Sequence, residues 1–253
     1  LTHVFESYCK QIKMLKEKVK DMLIASTSDI VDYVSLIDLL CRLSVSFIHF
    51  QSEIEEQLQH IFYAQPTLLD TSDSDLYTVA LVFQVFRQRG YKMPKLLSKN
   101  FKDNDGKFKE ALTGDPKGTL SLYNVCYVGM HGEDILDEAL AFTLAHLASM
   151  AGRSSHLLKK QIMNALRWPY HRCMPQGRHF NFVKKESCNK TLLQFAKIDF
   201  NRLQLVYQHE QSELTRWFKE LNTTSQLPYA RQRVGETQVW SCEMYFEPQC
   251  TYG

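Results

Sequence analysis

At 253 residues the chain can bury a substantial core as one large domain or two smaller ones. Its 44% hydrophobic and 12% aromatic content exclude a disordered polymer, and a net charge of +2 gives no overall pull toward nucleic acid. Seven scattered cysteines, without any Cys-x-x-Cys, point to free thiols in a reducing compartment, and no apolar run reaches the ~18 residues of a membrane span.

Helical periodicity dominates from the start. Phe5, Tyr8, Ile12, Leu15, Val19 and Met22 step by three and four between lysines and a glutamate, which is one apolar stripe on a charged helix. Ile30, Val34, Ile37 and Cys41 repeat the pattern, with Asp29 as its expected N-cap. A third stripe runs through Leu76, Val79, Ala80, Phe83 and Phe86, and Gly90 is expected to close it. Leu136, Leu140, Leu144 and Leu147 form a fourth. Glu133 and Asp134 sit at its start, where the helix dipole favours negative charge, and Gly152 is expected to end it. A longer pattern covers Lys190 to Leu221. Breakers fall at Gln65-Pro66, Met93-Pro94, 103–106, 114–116, 174–177 and 222–228, and no strand-like alternation competes. The expected fold is all-α, with about ten helices.

Four clusters could carry chemistry. Asp103-Asn104-Asp105-Gly106 opens like a calcium loop, but the twelfth position is Gly114 where a carboxylate is needed, so it reads as a turn. His171, Cys173, His179 and Cys188 are zinc-type ligands at spacings that match no common zinc pattern. Residues 133–138 hold four acids, with Glu133 and Asp137 on one helical face and Asp134 and Glu138 on another. The helix start accounts for them without a metal. Residues 153–190 hold nine Lys or Arg against the single acid Glu186, and read as a solvated basic face because no aromatic platform is interleaved. Phosphate-loop, Gly-x-Ser-x-Gly and His-Glu-x-x-His motifs do not occur.

Arg231-Gln232-Arg233 is different in kind. A guanidinium is permanently charged and binds phosphate oxygens with a planar fork. Two residues apart on a regular helix the arginines would diverge, so they converge on one anion only from an irregular loop, and Pro228 with Asn222–Ser225 predicts such a loop. By itself, Arg-x-Arg reads as surface solubility.

Its neighbours change that reading. Residues 227–249, LPYARQRVGETQVWSCEMYFEPQ, resemble a segment of plant class I terpene synthases, in which an Arg-Asp-Arg-type motif precedes a helix ending near Tyr-Phe-Glu-Pro-Gln. Asp75–Tyr91, Phe101–Leu112, His131–Leu147 and Ala196–Leu221 resemble the same family in the same order, as does Leu36–Leu58 more loosely, and the sesquiterpene-forming type is nearest. The resemblance implies a helical barrel-like N-terminal domain over residues 1–188. It further implies that 189–253 are the first helices of an incomplete α-helical class I catalytic domain. It also implies that Arg231 and Arg233 hold the diphosphate of a prenyl substrate, expected to be farnesyl diphosphate, and that Trp240 lines the pocket where carbocations pass.

Two departures qualify the expected activity. Gln232 stands where the family has Asp, and a neutral amide orients the guanidinium pair less firmly. The chain is expected to stop, at Gly253, before the region where the family carries its Asp-Asp-x-x-Asp motif and, later, its second Asn/Asp–Ser/Thr–Glu metal motif, and no Asp-Asp pair occurs in the 253 residues. The family's carbon–oxygen lyase chemistry uses Mg2+, with Mn2+ as an alternative, to neutralise the diphosphate leaving group. The expectation is therefore a terpene synthase fragment that is inactive alone and monomeric when complete, with no nucleic-acid partner. The competing expectation is a non-catalytic helical interaction module or truncated gene product. Because the first residue is Leu1 rather than Met, an upstream segment is expected to be missing. The compartment is taken as cytoplasmic, with a plastid as the alternative.

Overall fold

The computed structural model describes residues 2–43, 45, 49–64, 74–93, 101–103, 105–167 and 189–221. Among these the chain is helical, as expected: α1 (Thr2–Ser26), α2 (Ile30–Arg42), α3 (Gln51–Ala64), α4 (Leu76–Gln88), α5 (Pro116–Cys126), α6 (Asp134–Arg153), α7 (His156–Arg167) and α8 (Lys190–Leu221), with a 3-10 turn at Glu110–Gly114. The one departure from helix and turn among the described residues is an isolated antiparallel bridge between Lys102 and Phe108. The chain divides into two compact units, one of Asp21–Arg178 and one that joins Leu1–Lys20 to His179–Gly253.

In the first of these units α4 is the central element. Ten of its residues are buried, from Leu76 to Arg87, so it is apolar nearly all round rather than on one stripe. It packs against α2 and α5; α5 packs in turn against α6 and α7. The helix starts at Asp75, whose carboxylate accepts the Thr78 N–H at 2.9 Å. Hydrogen bonds from Thr78 hold the Asp75 carboxyl below its ordinary value of 3.8. A lowered folded-state pKa means the cap contributes fully above the unfolded value and is lost as pH falls through the folded one. Asp75→Ala should therefore cost about 1 kcal/mol at neutral pH. The variant and the parent should converge in acid, which urea titrations at several pH values would read.

The other end of α4 closes as the sequence predicts. Gly90 has φ +86°, Tyr91 N–H donates to Phe86 O at 3.1 Å, and Gly90 N–H donates to Arg87 O at 3.0 Å. These are the two bonds of a Schellman cap, and its usual apolar contact is present as the Phe86 and Tyr91 rings, 5.6 Å apart and edge-on. Nothing lies within 4 Å of a Cβ built on Gly90, so Gly90→Ala meets only the left-handed backbone penalty. The expected loss is about 1 kcal/mol, seen as a lower urea midpoint at unchanged slope.

Helix α5 was not delimited by periodicity, although its start signal is explicit. Asp115 accepts the Gly118 N–H at 2.9 Å and Pro116 occupies the first turn, so a motif read as a breaker is a helix beginning. A Cβ on Gly118 would lie 2.1 Å from Asp115 Oδ2 and 3.1 Å from Leu76 Cβ; only glycine allows this approach to the start of α4. Tyr123, Leu147, Ala151 and Ile162 then form a small core shared by α5, α6 and α7.

Helix α6 corrects one expectation. Gly152 does not end it: the helix continues to Arg153, and Ser154 is the cap in extended backbone, φ −90° and ψ 162°. Ser154 Oγ donates to Met150 O at 2.8 Å, closing the last turn without a left-handed residue.

In the second compact unit, Ile12, Leu15 and Val19 of α1 are buried, as are Leu192, Phe195, Ala196 and Ile198 of α8. The α1 residues belong to the stripe expected there; of the apolar pattern expected over Lys190–Leu221, Leu192, Phe195 and Ala196 are buried, whereas Leu214 and Trp217 are 42% and 52% exposed. Asn189 caps α8, accepting the Thr191 N–H at 2.8 Å. The last two turns of α8 are more polar and exposed, and Arg216 pairs there with Glu213 and Glu220.

Candidate functional site

Arg231, Arg233 and Trp240 lie outside the described residues, as do His171, Cys173, His179 and Cys188. The described element that leads toward the arginines is α8, which ends at Leu221. Its buried first half includes Asp199, which accepts both Arg202 Nε–H (3.1 Å) and Nη2–H (2.9 Å) at one oxygen.

The acidic cluster at 133–138 is described in full, and its carboxylates do not converge. Glu133 lies just before α6 rather than within it. One of its oxygens pairs with the Arg87 guanidinium and the other accepts the Met130 N–H at 2.8 Å. Arg87 is fully enclosed, with its side chain 2% exposed, and its Nη1 also reaches Met130 Sδ at 3.3 Å. Glu138 pairs separately with Lys102, whose ammonium lies 5.7 Å from the centre of the Phe108 ring. The face-sharing pairs read from spacing are thus drawn apart by cations from two other segments. Sequence reasoning missed Arg87, because a cation buried on a nearly all-apolar helix has no local signature.

The Asp103 turn is also self-satisfied. Asp103 Oδ1 accepts the N–H groups of Asp105 (3.0 Å) and Lys107 (2.9 Å), and Asp103 N–H donates to Lys107 O at 2.8 Å. A carboxylate already bonded to its own backbone is a turn former, as expected. Among the described residues no three His, Cys, Asp or Glu side chains are grouped to hold a metal ion, so the described part of the chain does not fit a magnesium cluster. Cys9 and Cys126 are free thiols. Burial pushes the Cys126 thiol up to about 12, which makes it an inert packing group at neutral pH.

The all-helical fold of the described residues is shared with enzymes of known structure. Isoprene synthase from grey poplar, solved with three Mg2+ ions and dimethylallyl-S-thiolodiphosphate, superposes with a TM-score of 0.81 at 31% identity, over 96% of this chain and 47% of that one. Limonene synthase with 2-fluorolinalyl diphosphate superposes at 0.76 with 26% identity, over 87% and 42%. Residues 2–166 match the family model of the terpene synthase N-terminal domain. The chain belongs to the terpene synthase family. Casbene synthase of Ricinus communis is 51% identical over 96% of this chain and 41% of its own length. A valerianol synthase of Camellia hiemalis is 44% identical over 98% and 45%. The chain therefore spans less than half the length of these relatives. No helix among the described residues is long and apolar enough to cross a membrane.

Proposed function

We propose that this chain is the N-terminal portion of a terpene synthase that converts a prenyl diphosphate, farnesyl diphosphate in the first instance, to a sesquiterpene. Residues 1–188 form the N-terminal domain and 189–253 open the catalytic one. The observation that carries the reading is the Arg231-Gln232-Arg233 segment in a chain that matches the family over 2–166 and spans under half of its relatives. Arg231 and Arg233 bind the diphosphate and hold it away from the carbocation left behind. Trp240 presents an aromatic face to that cation. When bound in the complete protein, magnesium neutralises the leaving group; no ligand for it is assigned in this chain. A cytoplasmic location and a monomeric complete enzyme belong to the same reading.

The test has two arms. The purified 253-residue chain with magnesium and geranyl, farnesyl or geranylgeranyl diphosphate should give no terpene above the no-protein blank by gas chromatography. A terpene from the chain alone would show that the activity does not need a longer protein. Exchanged for the corresponding part of casbene synthase, the chain should support turnover, and Arg231→Ala/Arg233→Ala should lower kcat/KM by about 100-fold or more. An unchanged rate in that double variant would remove the arginines from the reaction.

A further inference from the structure

Arg87 is short of good acceptors. Its Nη2 pairs with one oxygen of Glu133, its Nε–H has no hydrogen-bond partner, and its Nη1–H donates to Met130 Sδ at 3.3 Å. A thioether sulfur is a weak and neutral acceptor, so one arm of an enclosed cation rests on a poor partner. With the guanidinium side chain only 2% exposed, solvent does not supply a better one.

Met130 faces both ways. It lies between α5 and α6 and is 45% exposed, although its sulfur reaches the buried guanidinium. Its backbone is fixed from both sides: Met130 N–H donates to Glu133 Oε2 at 2.8 Å, and Glu133 N–H donates to Met130 O at 3.3 Å. Its side chain has three rotatable bonds and adapts to a change at the sulfur. Peroxides oxidise accessible methionines to sulfoxides, and in a core the polar product disrupts packing. Here the polar product would meet a cation that lacks an oxygen.

We propose that Met130 is a site of reversible oxidation whose sulfoxide is held by Arg87. A hydroperoxide transfers one oxygen to Sδ: the O–O bond breaks, an S–O bond forms and sulfur gives up two electrons. The reduced hydroperoxide leaves as an alcohol or, from hydrogen peroxide, as water, with no net release of a proton. The new oxygen accepts Arg87 Nη1–H while the side chain draws back toward solvent. Oxidation therefore tightens the clasp between α4 and the start of α6. Return to the thioether takes two thiols, which leave as a disulfide with one water. Arg87, Met130 and Glu133 all belong to Asp21–Arg178, so the device is separate from the Arg231 and Arg233 segment.

The test treats the 253-residue chain with graded hydrogen peroxide and then with dithiothreitol, which restores disulfides and sulfenic acids but leaves methionine sulfoxide. Peptide mass spectrometry then follows each methionine. Met130 should react more slowly than exposed Met14 and Met163, because Arg87 draws on its lone pair, and faster than buried Met150. Urea unfolding of the oxidised parent and of oxidised Met130→Leu reads the effect on stability, since the other oxidised residues are common to both. Oxidation should change the folding equilibrium constant about fivefold more favourably in the parent. Met130→Gln, whose amide oxygen imitates the sulfoxide, should exceed Met130→Leu in urea midpoint without peroxide, and Arg87→Leu should erase that difference. The proposal is overturned if Met130 reacts no faster than Met150, or if oxidation shifts the parent and Met130→Leu alike. It is equally overturned if Met130→Gln is no more stable than Met130→Leu, or keeps its advantage in Arg87→Leu.

Discussion

Phe86→Ala is expected to lower the unfolding free energy by about 4 kcal/mol. Phe86 is 0% exposed, near the end of a helix buried on nearly every face, and its ring touches Phe62 and Tyr91 as well as the core. Truncation removes the transfer energy of a full aromatic side chain and leaves a cavity whose walls, helices α3 and α4, collapse only in part. It also removes the apolar contact of the Schellman cap. Phe86→Leu keeps most of the volume and should cost about 1.5 kcal/mol or less. Urea unfolding followed by far-ultraviolet circular dichroism would measure both; a loss under 2 kcal/mol for the alanine variant would mean that this part of the core repacks.

The second large effect concerns the Arg87 and Glu133 pair. Removing Glu133 strands a guanidinium whose side chain is only 2% exposed and whose Nε–H already lacks a hydrogen-bond partner. Glu133 is 29% exposed, so the expected cost of Glu133→Ala is at the low end for a broken buried pair, about 3 kcal/mol. The reverse change should be much milder. Arg87→Met keeps an unbranched apolar stem in the core, while Glu133 retains the Met130 N–H and some solvent. Arg87→Met/Glu133→Ala should then be more stable than Glu133→Ala alone, a sign difference that a double-mutant cycle reads directly. Equal costs for the two single variants would mean that water reaches Arg87.

Much of this fold was legible in one dimension. α1, α2 and the first half of α8 announce themselves because each buries an apolar stripe, which forces apolar residues into steps of three and four. In α6 the expected stripe is buried at Leu136 and Leu147, but Leu144 is 49% exposed and Ala139, Thr143 and Met150 complete the buried face. Asp29 and Gly90 were readable as helix boundaries because their chemistry is local: a side-chain oxygen for free N–H groups, and a residue that tolerates positive φ. α5 was not delimited because Gly118, Thr119, Ser121, Leu122, Tyr123, Asn124 and Val125 are all buried, so no face is left to carry a polar signal. Gly152 misled because a glycine near a helix end predicts a left-handed cap, whereas Ser154 closed the turn with its own hydroxyl.

The candidate chemistry divides in the same way. The turn at Asp103 and the acids at the start of α6 follow from sequence alone, since a carboxylate bonds nearby N–H groups and a helix start attracts negative charge whatever surrounds it. Which cation each acid meets does not follow. Arg87 and Glu133 are 46 residues apart, Lys102 and Glu138 are 36 apart, and only the packing of α4, α5 and α6 brings them together. The contact between the Phe62 and Tyr91 rings, 4.9 Å apart, has the same origin: they belong to different segments, and a single positive φ at Gly90 sets one ring against the other. Sequence alone thus determined the helical class, the stripes and the family, because periodicity and local capping are short-range properties of the chain. Tertiary structure decided the ion-pair partners and that ring contact, because a side chain's long-range neighbours depend on where its helix is packed.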